Sequence, residues 1–144
     1  MFKFDENQGL QLRTPQEVDH LIPELERLLD HIQHCQKRAE VLTDTLRRER
    51  AEGRLSIAED QLLRSQIEFL LSATQEAIDN IMDLGGVIKD IQEGLVDFLG
   101  QVNEKEVWLC WKKGEVHIQH WHTLDSGFSS RKQLPRTDIS TSIH

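Results

Sequence analysis

The chain has no tyrosine, only two cysteines, and no uninterrupted apolar segment of about 18 residues. The last absence leaves no transmembrane helix and argues against a membrane partner. Cys35 and Cys110 are far apart and form no C-x-x-C pair, which excludes a zinc ribbon and a thioredoxin-like redox motif. Reduced, packed thiols are the expectation. Basic charge is in deficit: 17 Lys and Arg face 25 Asp and Glu, for a net charge of −8 at pH 7. Most of the acidic excess lies between Arg13 and Leu84, so the chain should repel phosphate backbones, and no nucleic-acid partner is expected. The opening MFKFDENQGL has neither the basic start nor the apolar run of a secretory leader, which points to a cytoplasmic protein. Phosphate-loop, dinucleotide-fingerprint, H-E-x-x-H and G-x-S-x-G motifs are also missing.

What is present is a pair of strong helical patterns. Thr14-Pro15-Gln16-Glu17 has the form of a capping box, with proline at the first helical position. Val18, Leu21, Leu25, Leu28, Ile32, Cys35, Ala39, Leu42 and Leu46 then recur at alternating spacings of three and four, a coiled-coil-like seam for another helix. Ile22 and Leu29 widen the stripe, so it should pack against more than one neighbour. Pro23 removes one backbone donor inside the pattern and predicts a kink or break near Asp19. Gly53 suits a left-handed C-terminal cap, and Ser56 with Glu59 repeats the capping box.

From Ile57 the set Leu63, Ile67, Leu70, Leu71, Ala77, Ile78, Ile81 and Leu84 follows helical spacing until Gly85-Gly86. The short connection implies an antiparallel helical hairpin over residues 14–84. At 1.5 Å per residue its arms are roughly 40 to 55 Å long, more than a small β-unit covers. Part of the stripe should therefore meet a second copy, and a homodimer is expected.

Beyond Gly86 the apolar period falls to two. Runs at 87–91, 95–98, 106–111 and 115–122 predict three or four short strands in an antiparallel meander over residues 87–122. With Lys113-Gly114 as a two-residue turn, Trp111 lies opposite Val116, Leu109 opposite Ile118 and Val107 opposite His120. His120 then shares an apolar face, while Trp108, Cys110, His117, Gln119 and Trp121 make up the other. Residues 123–144 read as a loop and flexible tail. The fold class is α+β, a single domain over 1–144: a long helical hairpin with a small C-terminal β-meander.

Four motifs in this order, TPQEVDHLIPEL, GGVIKDIQEGLVDF, VWLCWKKGE and HWHTLDSGFSSR, resemble a prokaryotic family classed as a domain of unknown function, family 2203, from about Leu12 to Leu134. The resemblance implies positions rather than an activity. Its polar set falls on Lys89, Asp90, Asp97, Glu115, His122 and Arg131, framed by Gly94, Trp111, Gly114, Trp121, Gly127 and Phe128. Leu99 stands where the family pattern places a proline.

The richest chemistry lies in WLCWKKGEVHIQHWHTLDSGF, residues 108–128. His120 and His122, two apart on a strand, share a face at about 6.6 Å separation and form the candidate pair for a divalent metal; His117 points away. Asp97 or Asp125 would complete such a site. The plainer alternative is a pair of rim histidines, one ring bonded to a carbonyl. Trp108, Trp111 and Trp121 are the candidate binding surface, unless the segment through Phe128 and Leu134 folds over it. Cys110 reads as a small packed residue.

Three further groups have ready structural explanations. Glu17-x-x-His20 is one half of a di-iron pattern, yet Glu17 is already a cap. His31 and His34 flank a seam position, Cys35. Arg47, Arg48, Arg50 and Arg54 at the hairpin tip complement the helix dipole or hold an anion.

The functional expectation is a non-enzymatic protein-interaction or ligand-binding module that self-associates through its helices. The alternative is a metal-binding protein or metal-dependent hydrolase. It would use His122 and His120 as ligands, Asp97 or Glu115 as ligand or general base, and Arg131 against an anionic substrate. A third reading is anion binding at Lys89 and Arg131 without metal.

Overall fold

The structure, a computed structural model, describes residues 10–135. Helices α1 (Pro15–Ala51) and α2 (Ile57–Asp83) fold back on each other. Five strands follow: β1 (Gly86–Asp90), β2 (Leu95–Val102), β3 (Lys105–Lys112), β4 (His120–His122) and β5 (Lys132–Gln133), with one turn of 3-10 helix at Phe128–Ser130. Among the described residues no helix is long and apolar enough to cross a membrane.

Both capping boxes form. Thr14 and Ser56 accept from the amides of Glu17 and Glu59, whose carboxylates in turn accept from the cap amides. Gly53, at φ +66°, ends α1 in the left-handed region, and the chain reverses within a few residues. Arg50 crosses the tip to Asp60 at 2.6 Å and holds that carboxyl down to about 2. Arg47 and Arg54 are likewise paired with carboxylates, so three of the four tip arginines engage their own chain.

The break expected near Asp19 does not form: α1 runs through Pro23 without interruption. An internal proline costs about 3 kcal/mol. Ile22 and Leu25 on either side of it are buried in the same core, and each such side chain contributes about 1.5–3 kcal/mol when taken out of water. Packing outweighs the lost bond.

The sheet is a sequential antiparallel meander in the order β1-β2-β3-β4-β5. Its inner face carries Val96, Phe98, Leu109 and Trp111, which join Val18, Ile22, Leu25, Leu28, Leu29 and Ile32 of α1 and Ala77 and Ile81 of α2 in one core. Leu99, where a proline was the pattern, continues β2 and pairs with Trp108. The sheet also extends past residue 122. Lys132 and Gln133, expected in a loose tail, pair with Trp121 and His120. Residues 136–144, the end of that tail, lie outside the described residues.

The β3–β4 register differs from the expected one by three residues. Leu109 lies opposite Trp121, Cys110 opposite His120, and Trp108 opposite His122. The turn at Lys113-Gly114 does close, the Glu115 amide donating to the Lys112 carbonyl at 2.9 Å, but no ladder runs on from it. Glu115 folds back, its carbonyl accepting from Trp111 Nε1 at 2.9 Å and its carboxylate from the Lys112 amide at 2.8 Å. The segment beyond lies along α1: Glu26 accepts from the Gly114 amide, Lys113 reaches Gln33 and Asp30, and Asp19 accepts from the Ile118 amide at 2.7 Å. Ile118 is buried there. An odd shift exchanges the two faces of a strand. Trp121 therefore turns towards the core, and His120 and His122 turn away from it.

Gly100 sits where β2 passes closest to its neighbours. An added Cβ would stand 2.6 Å from the Leu109 side chain and 3.1 Å from the Arg13 carbonyl oxygen. Gly100→Ala is expected to cost about 1–3 kcal/mol by overpacking, read as a lower midpoint in urea unfolding, whereas alanine at Gly127, whose surroundings are open, leaves that midpoint unchanged.

Candidate functional site

The outer face of the sheet, away from the helices, is built by alternation. Leu95, Asp97 and Leu99 of β2, Trp108 and Cys110 of β3, and His120 and His122 of β4 share it. It is not a wet face: Asp97, Cys110, Trp108 and His122 are each 2% exposed or less. Ser126, Gly127 and Phe128 lie over part of it. With Lys89, Leu95, Asp97, Cys110 and His122 they enclose a cavity of about 100 Å³.

Two polar clusters meet at Cys110. In the first, His122 Nε2 lies 2.8 Å from Asp97 Oδ2, and His122 Nδ1 lies 3.0 Å from the Thr123 carbonyl oxygen. A carbonyl oxygen only accepts, so Nδ1 carries a proton. A second proton must then lie between Nε2 and the carboxylate, on one or the other. Asp97 Oδ1 is buried without a partner. Burial pushes the Asp97 carboxyl above its ordinary range, opposed by the charges of His122 and Lys89. Burial, and then the charge of Asp97, push the Cys110 thiol up to about 12. The donor-type atoms of Asp97, Cys110 and His122 all lie within 4.8 Å of one another, the spread of a metal-ligand set.

In the second cluster the Arg131 guanidinium pairs with Glu115 and contacts His120 Nδ1. Burial and then the Arg131 charge lower the His120 pKa, which favours the neutral ring. Arg131 also stacks on Phe128, 4.6 Å from the ring centroid. The Cys110 sulfur lies 4.0 Å from Arg131 Nη1.

Of the six polar positions, Lys89, Asp97, Glu115, His122 and Arg131 converge on this face. Lys89 Nζ lies 4.7 Å from the centre of the Trp108 ring. Asp90 does not join them; its carboxylate accepts from the Glu93 amide and shapes the β1–β2 turn. His120 and His122 share a face as expected, but His120 turns to Arg131, and Cys110 takes the place beside His122 and Asp97. Asp125 accepts from the Thr123 hydroxyl instead.

The tryptophans form no open surface. Trp108 and Trp111 are buried on opposite faces, and Trp121 packs on the inner core beneath Lys132. The signal for Cys110 lay in the β2–β3 turn. Asn103 and Glu104 both have positive φ, and reading them as a two-residue turn puts Cys110 directly opposite Asp97.

The model of a family described as uncharacterized conserved protein (DUF2203) matches residues 11–134, and the chain belongs to that family. No curated protein and no solved structure matches the chain.

The Cys110 thiol is held neutral in the fold and ionises near 9 once the chain unfolds. Its contribution to stability is complete below pH 9 and is lost as pH rises towards 12. In chelator-treated protein, unfolding free energy is expected to fall over this window with a slope of up to about 1.4 kcal/mol per pH unit. In denaturant titrations Cys110→Ala, though less stable at neutral pH, should lack that component of the slope.

Proposed function

We propose that the protein is a non-enzymatic interaction module that self-associates through the distal half of its helical hairpin. The exposed apolar row on α2 carries this reading. Between Ile57 and Ala73 no α2 residue is buried, while Ile57, Leu62, Phe69 and Leu71 stand in solvent, Phe69 at 72%. The sheet end of the same helix buries Thr74, Ala77 and Ile81. Leu62 and Phe69 are one heptad apart and lie on one side of the helix.

Phe69 also walls an interhelical groove of about 350 Å³ with Arg38, Leu42, Ser65, Gln66 and Leu70. A ring beside a groove on the same surface is self-complementary under a two-fold axis: each copy inserts Phe69 into the groove of the other. Two hairpins joined this way make a four-helix bundle. Each buried phenylalanine contributes about 1.5–3 kcal/mol, and it does so twice per dimer. Among the described residues the groove wall carries no carboxylate and one charged side chain, Arg38, so the acidic excess of the chain is not brought against itself there.

Sedimentation equilibrium is expected to give a dimer at micromolar concentration. Phe69→Glu should weaken it by more than tenfold, the equivalent of about 1.4 kcal/mol, with helical circular dichroism unchanged. A wild-type chain that stays monomeric throughout the micromolar range overturns the proposal.

A further inference from the structure

We infer that Asp97, Cys110 and His122 form a binding site for one divalent transition-metal ion of the zinc class, with an open position facing the cavity under Ser126–Phe128. This site is at the opposite end of the molecule from the dimer surface and does not depend on it.

The donor set comes first. Carboxylate oxygen, thiolate sulfur and imidazole nitrogen are contributed by three adjacent strands, β2, β3 and β4, and their atoms lie within 4.8 Å of one another. A sulfur and a nitrogen among three donors suit zinc or cobalt, and exclude calcium and magnesium, which take oxygen. Bonds of about 2.0–2.3 Å put tetrahedral ligand pairs roughly 3.3–3.8 Å apart. To admit the ion the 2.8 Å His122–Asp97 contact opens by about half an ångström and the wider pairs, up to 4.8 Å apart, close by about one.

Orientation is the second observation. The Thr123 carbonyl fixes one His122 proton on Nδ1 and so leaves Nε2, directed at Asp97, as the ring atom that can bind a metal. A backbone carbonyl behind the ring is the outer-shell partner that zinc-ligating histidines use. The third is Asp97 Oδ1, which makes no hydrogen bond of ordinary length although the residue is only 1% exposed and the neighbouring donor is the Cys110 thiol, itself one of the three ligands. Leaving such an oxygen unsatisfied is unfavourable, and a coordinated cation removes that cost.

Charge closes the argument. The proton between His122 and Asp97 occupies the position of the ion, and the Cys110 thiol carries another. Uptake of one M²⁺ forms bonds to Nε2, a carboxylate oxygen and Sγ, and releases both protons to solvent, so the net charge of the site is unchanged. The cavity of about 100 Å³ has room for a water or small anion as fourth ligand, and Lys89 in its wall favours the anion.

The test is titration of the chelator-stripped full chain with Co²⁺. One equivalent per chain is expected to produce a near-ultraviolet thiolate-to-cobalt band and tetrahedral visible bands, both removed by Zn²⁺. Cys110→Ser should abolish the thiolate band, Asp97→Asn should weaken binding by at least tenfold, and Cys35→Ser should leave the spectrum unchanged. Folded wild-type protein that shows no thiolate-to-cobalt band at saturating Co²⁺ overturns the inference, whatever the variants do. So does a band that survives Cys110→Ser but is lost with Cys35→Ser, which would place the ion on α1, where the Cys35 sulfur lies 3.7 Å from His31 Nε2.

Discussion

Helix α1 buries Val18, Ile22, Leu25, Leu29 and Ile32 against an inner sheet face on which Val96, Phe98, Leu109 and Trp111 are equally dry. With each side chain contributing about 1.5–3 kcal/mol, this contact holds α1 continuous through Pro23 and fixes the sheet beneath it. It also divides the hairpin. The first half of α1 has a sheet to cover it, and among the described residues the second half packs on α2 alone. The apolar groove at Phe69 and the polar face at Cys110 are consequently at opposite ends of one rigid element.

The helices were legible because their determinants are local. Thr14 with Glu17, Ser56 with Glu59, and Gly53 are all within a turn of the boundary they set, and the seam residues from Val18 to Leu46 that pack are those whose spacing announced them. The β3–β4 register was not legible for the opposite reason. It is set by the Asp19 and Glu26 carboxylates accepting from amides 99 and 88 residues further along the chain. No short-range pattern records bonds of that kind, and a hairpin ladder running straight on from the Lys113-Gly114 turn is the natural reading when they are left out.

The same misreading had a price at the candidate site. With the faces exchanged, His122 meets Asp97 and Cys110 rather than an apolar strand, and Trp121 becomes a core residue. Five of the six polar positions nevertheless came together, because the resemblance supplied them without needing the register. What neither route supplied was Cys110. Its importance comes from being directly opposite Asp97 and beside both histidines at once, a property of three strands rather than of a sequence motif.

The order of elements along the chain adds a constraint on synthesis. The hairpin partners of α1 and α2 follow each other directly, but the residues that cover Val18 to Ile32 arrive only with β2 and β3, up to Trp111. At about 5–20 residues per second, the ribosome takes on the order of ten seconds to make the intervening stretch of about 80 residues. Throughout that interval the nascent chain presents a greasy helix flank that α2 covers only in part, and a chaperone or a neighbouring nascent chain on the same message is the surface nearest to hand.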